Sequence, residues 1–260
     1  METDTNPNTA GAGAGVLRSL HVAGAPLVLP NAWDAASARV VVDAGYPAVA
    51  TASAAVSAAL GYPDGHGMPV DEAFAAVRRI ASAVDVPVTA DIERGYGLPP
   101  GEIVARLAEA GAVGCNLEDS DPATGAMVDV AEQADFLAAV RAADPDLVLN
   151  ARVDVHIKGD KSLEDSVRRA LAYFEAGADC VYPLGLPSDE IGRFVAAVGG
   201  RPVNIAHGPG SLTPPELGAL GVARVSFGPG LHRLLLARLT ELVTDLRAGA
   251  SPYRARPAGN

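Results

Sequence analysis

The sequence predicts an α/β protein built as a single (β/α)8 TIM barrel, and three observations carry that reading. Eight short apolar runs recur along the 260 residues, each followed by a stretch of helical character, which is the order that parallel βαβ units require. Four helical stretches stop at Ala-Gly or Leu-Gly, at Gly45, Gly111, Gly177 and Gly221. Glycine there takes the left-handed cap that returns the chain to a strand. The length suits one barrel of about 250 residues as well as two domains of about 150. A doubly wound sheet is the rival, but no Gly-rich nucleotide fingerprint follows the first apolar run.

The elements follow in order. Residues 1–15, METDTNPNTAGAGAG, read as a flexible start; they lack the basic region and apolar core of a signal peptide. Strands are expected at 26–31, 48–53, 86–93, 112–118, 147–154, 179–184, 202–207 and 224–228. Helices are expected at 35–44, 70–83, 100–110, 130–142, 163–176, 188–197, 214–220 and 231–248. The barrel domain thus spans 16–248, and 249–260 form a tail.

Composition bounds the function. Hydrophobic residues make up 49% of the chain and aromatics 5%, so a large core must be built from Ala, Val and Leu. The net charge of −11 argues against a partner with a phosphate backbone, which needs a basic face. It leaves room for a small anionic metabolite held by a local cation. No apolar run reaches the 18 residues of a membrane span, and a cytoplasmic location is expected. Cys115 and Cys180 lie far apart in apolar runs and read as buried small hydrophobes.

In a barrel the active site lies at the C-terminal strand ends. The third run, VPVTADIE, puts Asp91 and Glu93, two apart, on one face. The fourth, AVGCNLED, does the same for Asn116 and Glu118, and the fifth, LVLNARVD, for Asn150, Arg152 and Asp154. Three adjacent strands therefore deliver Asp91, Glu93, Glu118 and Arg152 to one spot. Packed carboxylates repel unless something positive neutralises them. A divalent cation does so, and hard oxygen ligands suit Mg²⁺ or Mn²⁺. Arg152 reads either as a clamp on a substrate anion or as a brace for the acids. Asp34, Asp119 and Asp154 read more simply as helix caps or loop acceptors.

Five segments, in order and on the expected strands, then carry a resemblance. They are NAWDAASA at 31–38, SAAVSAALGYPD at 53–64, DIERGYG at 91–97, NLEDS at 116–120 and NARVD at 150–154. Over residues 16–248 the chain resembles the isocitrate lyase/phosphoenolpyruvate mutase superfamily. The resemblance implies a (β/α)8 barrel whose last helix is exchanged between subunits of a homodimer or homotetramer. It implies a Mg²⁺ site on small 2-oxo acids, with Asp91 as direct ligand and Asp64, Glu93 and Glu118 holding the metal through waters. Glu93 stands where the family more often has Asp. Arg152 matches the residue that grips a substrate carboxylate or phosphonate. Ser53 and Ala54 match a turn whose backbone N–H groups hold the oxo-acid carboxylate.

The loop after the fourth strand departs from the family. It reads EDSDPATG at 118–125, with no Cys, Lys or His, whereas the isocitrate and methylisocitrate lyases carry an acid/base Cys there. Isocitrate cleavage is therefore not expected. Lys158 and Lys161, the only lysines, fall in an IKGDK stretch that reads as an exposed turn, which disfavours a Schiff base. Other candidates near the site are Tyr62, His66, Tyr96, His156, Asn204 and His207, with Asn204 expected to face substrate. The expected function is enolate chemistry: a lyase or decarboxylase breaking a C–C bond in an oxaloacetate- or methylisocitrate-like acid. Arg152, Glu118 and Asp64 are its expected catalytic groups. P–C bond chemistry on phosphonopyruvate or phosphoenolpyruvate, or a non-catalytic metabolite-binding barrel, are the alternatives.

Overall fold

A computed structural model describes residues 10–65 and 67–253. The first apolar run forms two short strands, β1 (Leu27–Leu29) and β2 (Asn31–Ala32), on either side of Pro30. Proline lacks the N–H that the ladder needs, so the strand changes partner there. The remaining strands are β3 (Val49–Thr51), β4 (Val88–Asp91), β5 (Gly114–Leu117), β6 (Val148–Val153), β7 (Cys180–Pro183), β8 (Asn204–Ala206) and β9 (Arg224–Ser226). All pairings are parallel, in the order β2-β3-β4-β5-β6-β7 and β1-β9-β8. A parallel bridge between Val181 and Val203 joins the two sets. With β1 and β2 as one interrupted strand, the eight strands close a barrel, as the sequence predicts.

The helices of the outer layer are α2 (Ala35–Asp43), α4 (Val70–Ala81), α5 (Pro100–Ala110), α6 (Val130–Ala143), α8 (Leu163–Glu175), α9 (Ile191–Ala197), α10 (Pro214–Ala219) and α11 (Gly230–Arg247). Each of the first seven lays its apolar stripe on the barrel. Val77, Ile80, Ile103, Leu107 and Leu137 pack there with Cys115, Leu149 and Ala151 from the outward strand face. Asp34 caps α2 through a capping box, accepting from the Ser37 N–H. Gly111 at φ +79 and Gly177 at φ +99 hold the left-handed turns read from the sequence.

Three elements differ from expectation. Residues 10–15 are not a flexible start: they open the helix α1 (Ala10–Ser19), while 1–9 lie outside the described residues. Leu17 of α1 is fully buried, in one cluster with Leu27, Leu29, Ala48, Ala50, Val113 and Val148 on the inward strand faces. Arg18 ties α1 to Asp179 at 2.7 Å and to the Asp146 carbonyl at 2.8 Å. The helix thus plugs the N-terminal mouth, and burial of that small-residue stripe supplies what a weak, glycine-containing helix lacks by itself. Ser53 and Ala54, expected in a turn, open the helix α3 (Ser53–Leu60), and a further short helix α7 (Val155–Lys158) follows β6. Of the expected tail, 249–253 are described and 254–260 are not.

Candidate metal and substrate site

The C-terminal ends of the strands open into a cavity of about 510 Å³. Five carboxylates line it: Asp64, Asp91, Glu93, Glu118 and Asp121; so do three cations, Arg152, Lys158 and Arg233. Asp91 is the last residue of β4. Its backbone N–H donates to Thr51 Oγ1 at 2.9 Å. Its Oδ2 accepts from the Ser53 N–H at 3.1 Å and the Ser53 hydroxyl at 3.0 Å. Its Oδ1 is buried and has no hydrogen-bond partner. One oxygen is therefore anchored and the other is left for something else, since an unpartnered buried carboxylate oxygen is costly.

Glu93 reaches the cavity by a route that strand alternation does not describe. The strand ends at Asp91, and Glu93 takes a left-handed φ of 54°. Its carbonyl accepts from the Glu118 N–H at 2.9 Å, which ties the ends of β4 and β5 together. The Glu118 carbonyl in turn accepts from Gln133 Nε2 at 2.9 Å. Burial pushes the Glu118 carboxyl up to about 8; Arg152 opposes this, and Asp154, Asp91 and Glu93 reinforce it. Burial, and then Asp91, raise the Asp64 carboxyl as well. Such a site, crowded with acids, gains from a bound cation.

Arg152 sits among these acids as a brace. Its Nε and Nη2 donate to the two oxygens of Asp154 at 2.9 and 3.0 Å, and its Nη1 donates to Glu118. Burial lowers its pKa, but Asp154 and Glu118 outweigh that and hold the guanidinium charged. Asp154 is wholly buried and also accepts from the Ser120 hydroxyl at 2.8 Å. Asp119, likewise wholly buried, accepts from the Asp154 N–H, the Tyr173 hydroxyl and Arg169. These two acids are scaffold groups behind the cavity, as loop acceptors rather than ligands.

Other expected residues separate into near and far. Ser53 and Ala54 line the cavity, but the Ser53 N–H already serves Asp91. Asn204 does not reach the cavity, contrary to expectation. It lies wholly buried beneath it, its Oδ1 accepting from Ser226 Oγ at 3.1 Å. Its strand is only three residues long, and the inward residue at the mouth is Ala206. Tyr62 bonds Glu72 on the surface, Tyr96 packs edge-on against Phe74, and His207 lies 5.2 Å from the Phe227 ring. His156 is buried away from the lining, and His66 lies outside the described residues. Cys115 faces the helix layer, and burial pushes its thiol up to about 12. Lys158, expected in an exposed turn, is exposed, and it also lines the cavity, on the short helix α7 that follows β6. Asn116, read from the sequence on one face with Glu118, lines the cavity, as do Tyr182 and Arg233, which were absent from the expected set; inward alternation on β7 points to Tyr182.

The site fits a hard divalent cation. Among the described residues no three His, Cys, Asp or Glu side chains converge as a direct ligand cluster. The open Oδ1 of Asp91 supplies one direct oxygen. Asp64, Glu93 and Glu118 line the same cavity and would hold the ion through waters, a pattern Mg²⁺ favours.

A parallel eight-stranded barrel with an acid-rich pocket at its C-terminal mouth defines the class, a TIM-barrel protein. The chain belongs to the phosphoenolpyruvate phosphomutase family, whose model matches residues 17–247, within the isocitrate lyase/phosphoenolpyruvate mutase superfamily of lyases and mutases on small acids. The uncharacterized protein Rv1998c of Mycobacterium tuberculosis H37Rv is 38% identical over 211 residues, 80% of each chain. An oxaloacetate decarboxylase of Rhodopseudomonas palustris BisB5 is 31% identical over 253 residues, 92% of this chain and 86% of that one. A solved structure of phosphonopyruvate hydrolase with oxalate and Mg²⁺ superposes with a TM-score of 0.84 at 27% identity, over 95% of this chain and 91% of that one. Among the described residues no helix is long and apolar enough to cross a membrane.

Proposed function

We propose that the protein is a Mg²⁺-dependent enzyme that breaks a C–C bond of a small 2-oxo or 2-hydroxy acid, as a lyase or decarboxylase. The observation that carries this is Asp91, one oxygen fixed by Ser53 and the other open in an acid-lined cavity. Asp91, with Asp64, Glu93 and Glu118 around it, would hold the ion. When bound, Mg²⁺ supplies Lewis-acid stabilisation of negative charge that develops on a 2-oxo group. The chain's own residues do the rest. The Ala54 N–H, in the first turn of α3 on the cavity lining, would meet the acid end of the substrate. Arg152 keeps Glu118 and Asp154 in place and retains one N–H on each terminal nitrogen for an anion. Glu118, whose carboxyl burial pushes up, is the cavity acid we assign to proton exchange with substrate.

The oxaloacetate decarboxylase relative supports the decarboxylation form of this reading. P–C bond chemistry is the second form, supported by the phosphonopyruvate hydrolase likeness. Residues 118–125 offer no Cys, Lys or His acid, so isocitrate should not be cleaved. A pyruvate-release screen over oxaloacetate, methylisocitrate and phosphonopyruvate, with and without Mg²⁺, tests the proposal. Metal-dependent turnover of one acid is expected. Turnover that survives thorough chelation, or none on any acid, sinks it; the latter leaves a metabolite-binding barrel.

We infer in addition a homo-oligomer built through α11. Of its eighteen residues only His232 is buried, and Leu234, Leu235, Leu239 and Val243 are half or more exposed. An apolar groove formed with Trp33, Val40 and Val41 adjoins it. So large an exposed apolar stripe asks for a partner surface, and a second copy supplies one of the same kind.

A further inference from the structure

We propose that Lys158 selects substrates carrying a second anionic group, a distal carboxylate or phosphonate, beyond the end held near Asp91. This rests on the function proposed above and narrows it. The charge pattern of the cavity leads there. Arg152 donates from all three nitrogens to Asp154 or Glu118, which leaves it one N–H on each terminal nitrogen for the near end of a substrate. The cavity's other cations are Lys158 and Arg233. Neither makes an ion pair among the described residues, although acids outnumber cations on the lining. A lysine beside so many carboxylates that pairs with none of them is placed for an incoming anion.

Position separates the two. Arg233 is in the first turn of α11, the exposed helix. Lys158 is in the short helix α7, which directly follows β6, the strand that carries Arg152. Its backbone N–H donates to the Asp154 carbonyl at 2.8 Å, which fixes it one turn beyond the acid that Arg152 grips. Its ammonium lies against the 121–125 loop: a Cβ built on Gly125 would be 3.8 Å from Nζ. That loop is itself fixed, because Asp121 accepts from the Ala123 and Thr124 N–H groups. Asp121 and Pro122 of the loop line the cavity together with Ile157 and Lys158. The part of the lining formed by the 121–125 loop and α7 thus carries one unpaired, compact positive charge. An acid held at the Asp91 end would direct its far end toward this part of the lining. A point charge without a fork suits carboxylate and phosphonate alike.

The test is titration of the whole enzyme with Mg²⁺ and four probes. Oxalate and lactate present only the chelating end, malate adds a distal carboxylate, and phosphonopyruvate adds a distal phosphonate. Malate or phosphonopyruvate should bind at least about tenfold more tightly than lactate, a charge-assisted contact being worth that much. Lys158→Gln should remove about that factor and leave oxalate within twofold, and Lys158→Arg should restore most of it. Arg233→Gln should have the smaller effect. The probe that loses more in Lys158→Gln identifies the distal group. Equal losses on oxalate and malate, or no loss on either dianion, overturn the assignment while the proposed function stands. If oxalate fails to bind the parent protein with Mg²⁺, the proposed function fails and the assignment falls with it. Lys158 is exposed, so the melting temperature should not move, and it reports folding in each variant.

Discussion

Arg152→Lys separates a brace from a substrate clamp. The Arg152 side chain is 12% exposed and its Asp154 partner 0%. Its guanidinium makes a bidentate pair with Asp154 and a third bond to Glu118. A lysine ammonium keeps the charge but cannot reproduce the planar fork. Two of the three contacts are lost, each worth about 1.5–3 kcal/mol as a charge-assisted hydrogen bond. Asp154 keeps its Ser120 donor and the ammonium keeps one contact, so the net loss should be about 3 kcal/mol, the low end of two such bonds. At about 2 °C per kcal/mol for a domain of this size, the melting temperature should fall by about 6 °C. Calorimetry gives that number, and kcat/KM on the acid found by the screen gives the other. If Arg152 serves only as a clamp, kcat/KM drops 10- to 100-fold while the melting temperature stays within about 1 °C. That pair of results would refute the bracing role.

Asp91→Asn keeps an acceptor for Ser53 but removes the anionic oxygen. Mn²⁺ affinity by titration should drop by more than the roughly 10- to 100-fold typical of losing an outer-shell group, with the circular dichroism spectrum unchanged. Near-native Mn²⁺ binding would move the metal elsewhere. His21 should make stability fall in mild acid. Burial lowers its pKa to about 4, its Nδ1 lies 2.8 Å from the Leu17 carbonyl, and its Nε2 is buried without a partner. The unfolded chain takes up a proton near pH 6.5 that the folded chain refuses until about pH 4. Stability is therefore full above pH 6.5 and lost as pH falls through that window, by about 2 kcal/mol at pH 5. Urea unfolding at pH 7 and pH 5 should show the slope in the parent and a shallower one in His21→Asn; parallel slopes would remove His21 from the account. Leu235→Glu, on the exposed stripe of α11, should convert a homo-oligomer to monomer in light scattering; a parent that is already monomeric contradicts the assembly inferred for that helix.

The sequence by itself determined the barrel and much of its mouth. Local signals suffice for that: period-two apolar runs, amphipathic stretches and the caps at Gly111 and Gly177 are properties of neighbouring residues. Inward alternation on β5 and β6 placed Glu118 and Arg152 correctly, because those strands remain regular to their ends. The tertiary structure decided the rest. Glu93 reaches the cavity through a left-handed turn, since β4 stops two residues earlier. Asn204 falls below the cavity because β8 is short. Residues 10–15 are helical because Leu17 finds a barrel floor to plug. Lys158 and the bracing of Arg152 depend on contacts across strands and loops, such as Gly125 with Lys158 and Glu118 with Arg152. These two contacts pair residues more than thirty positions apart, and no local periodicity encodes which charge will meet which.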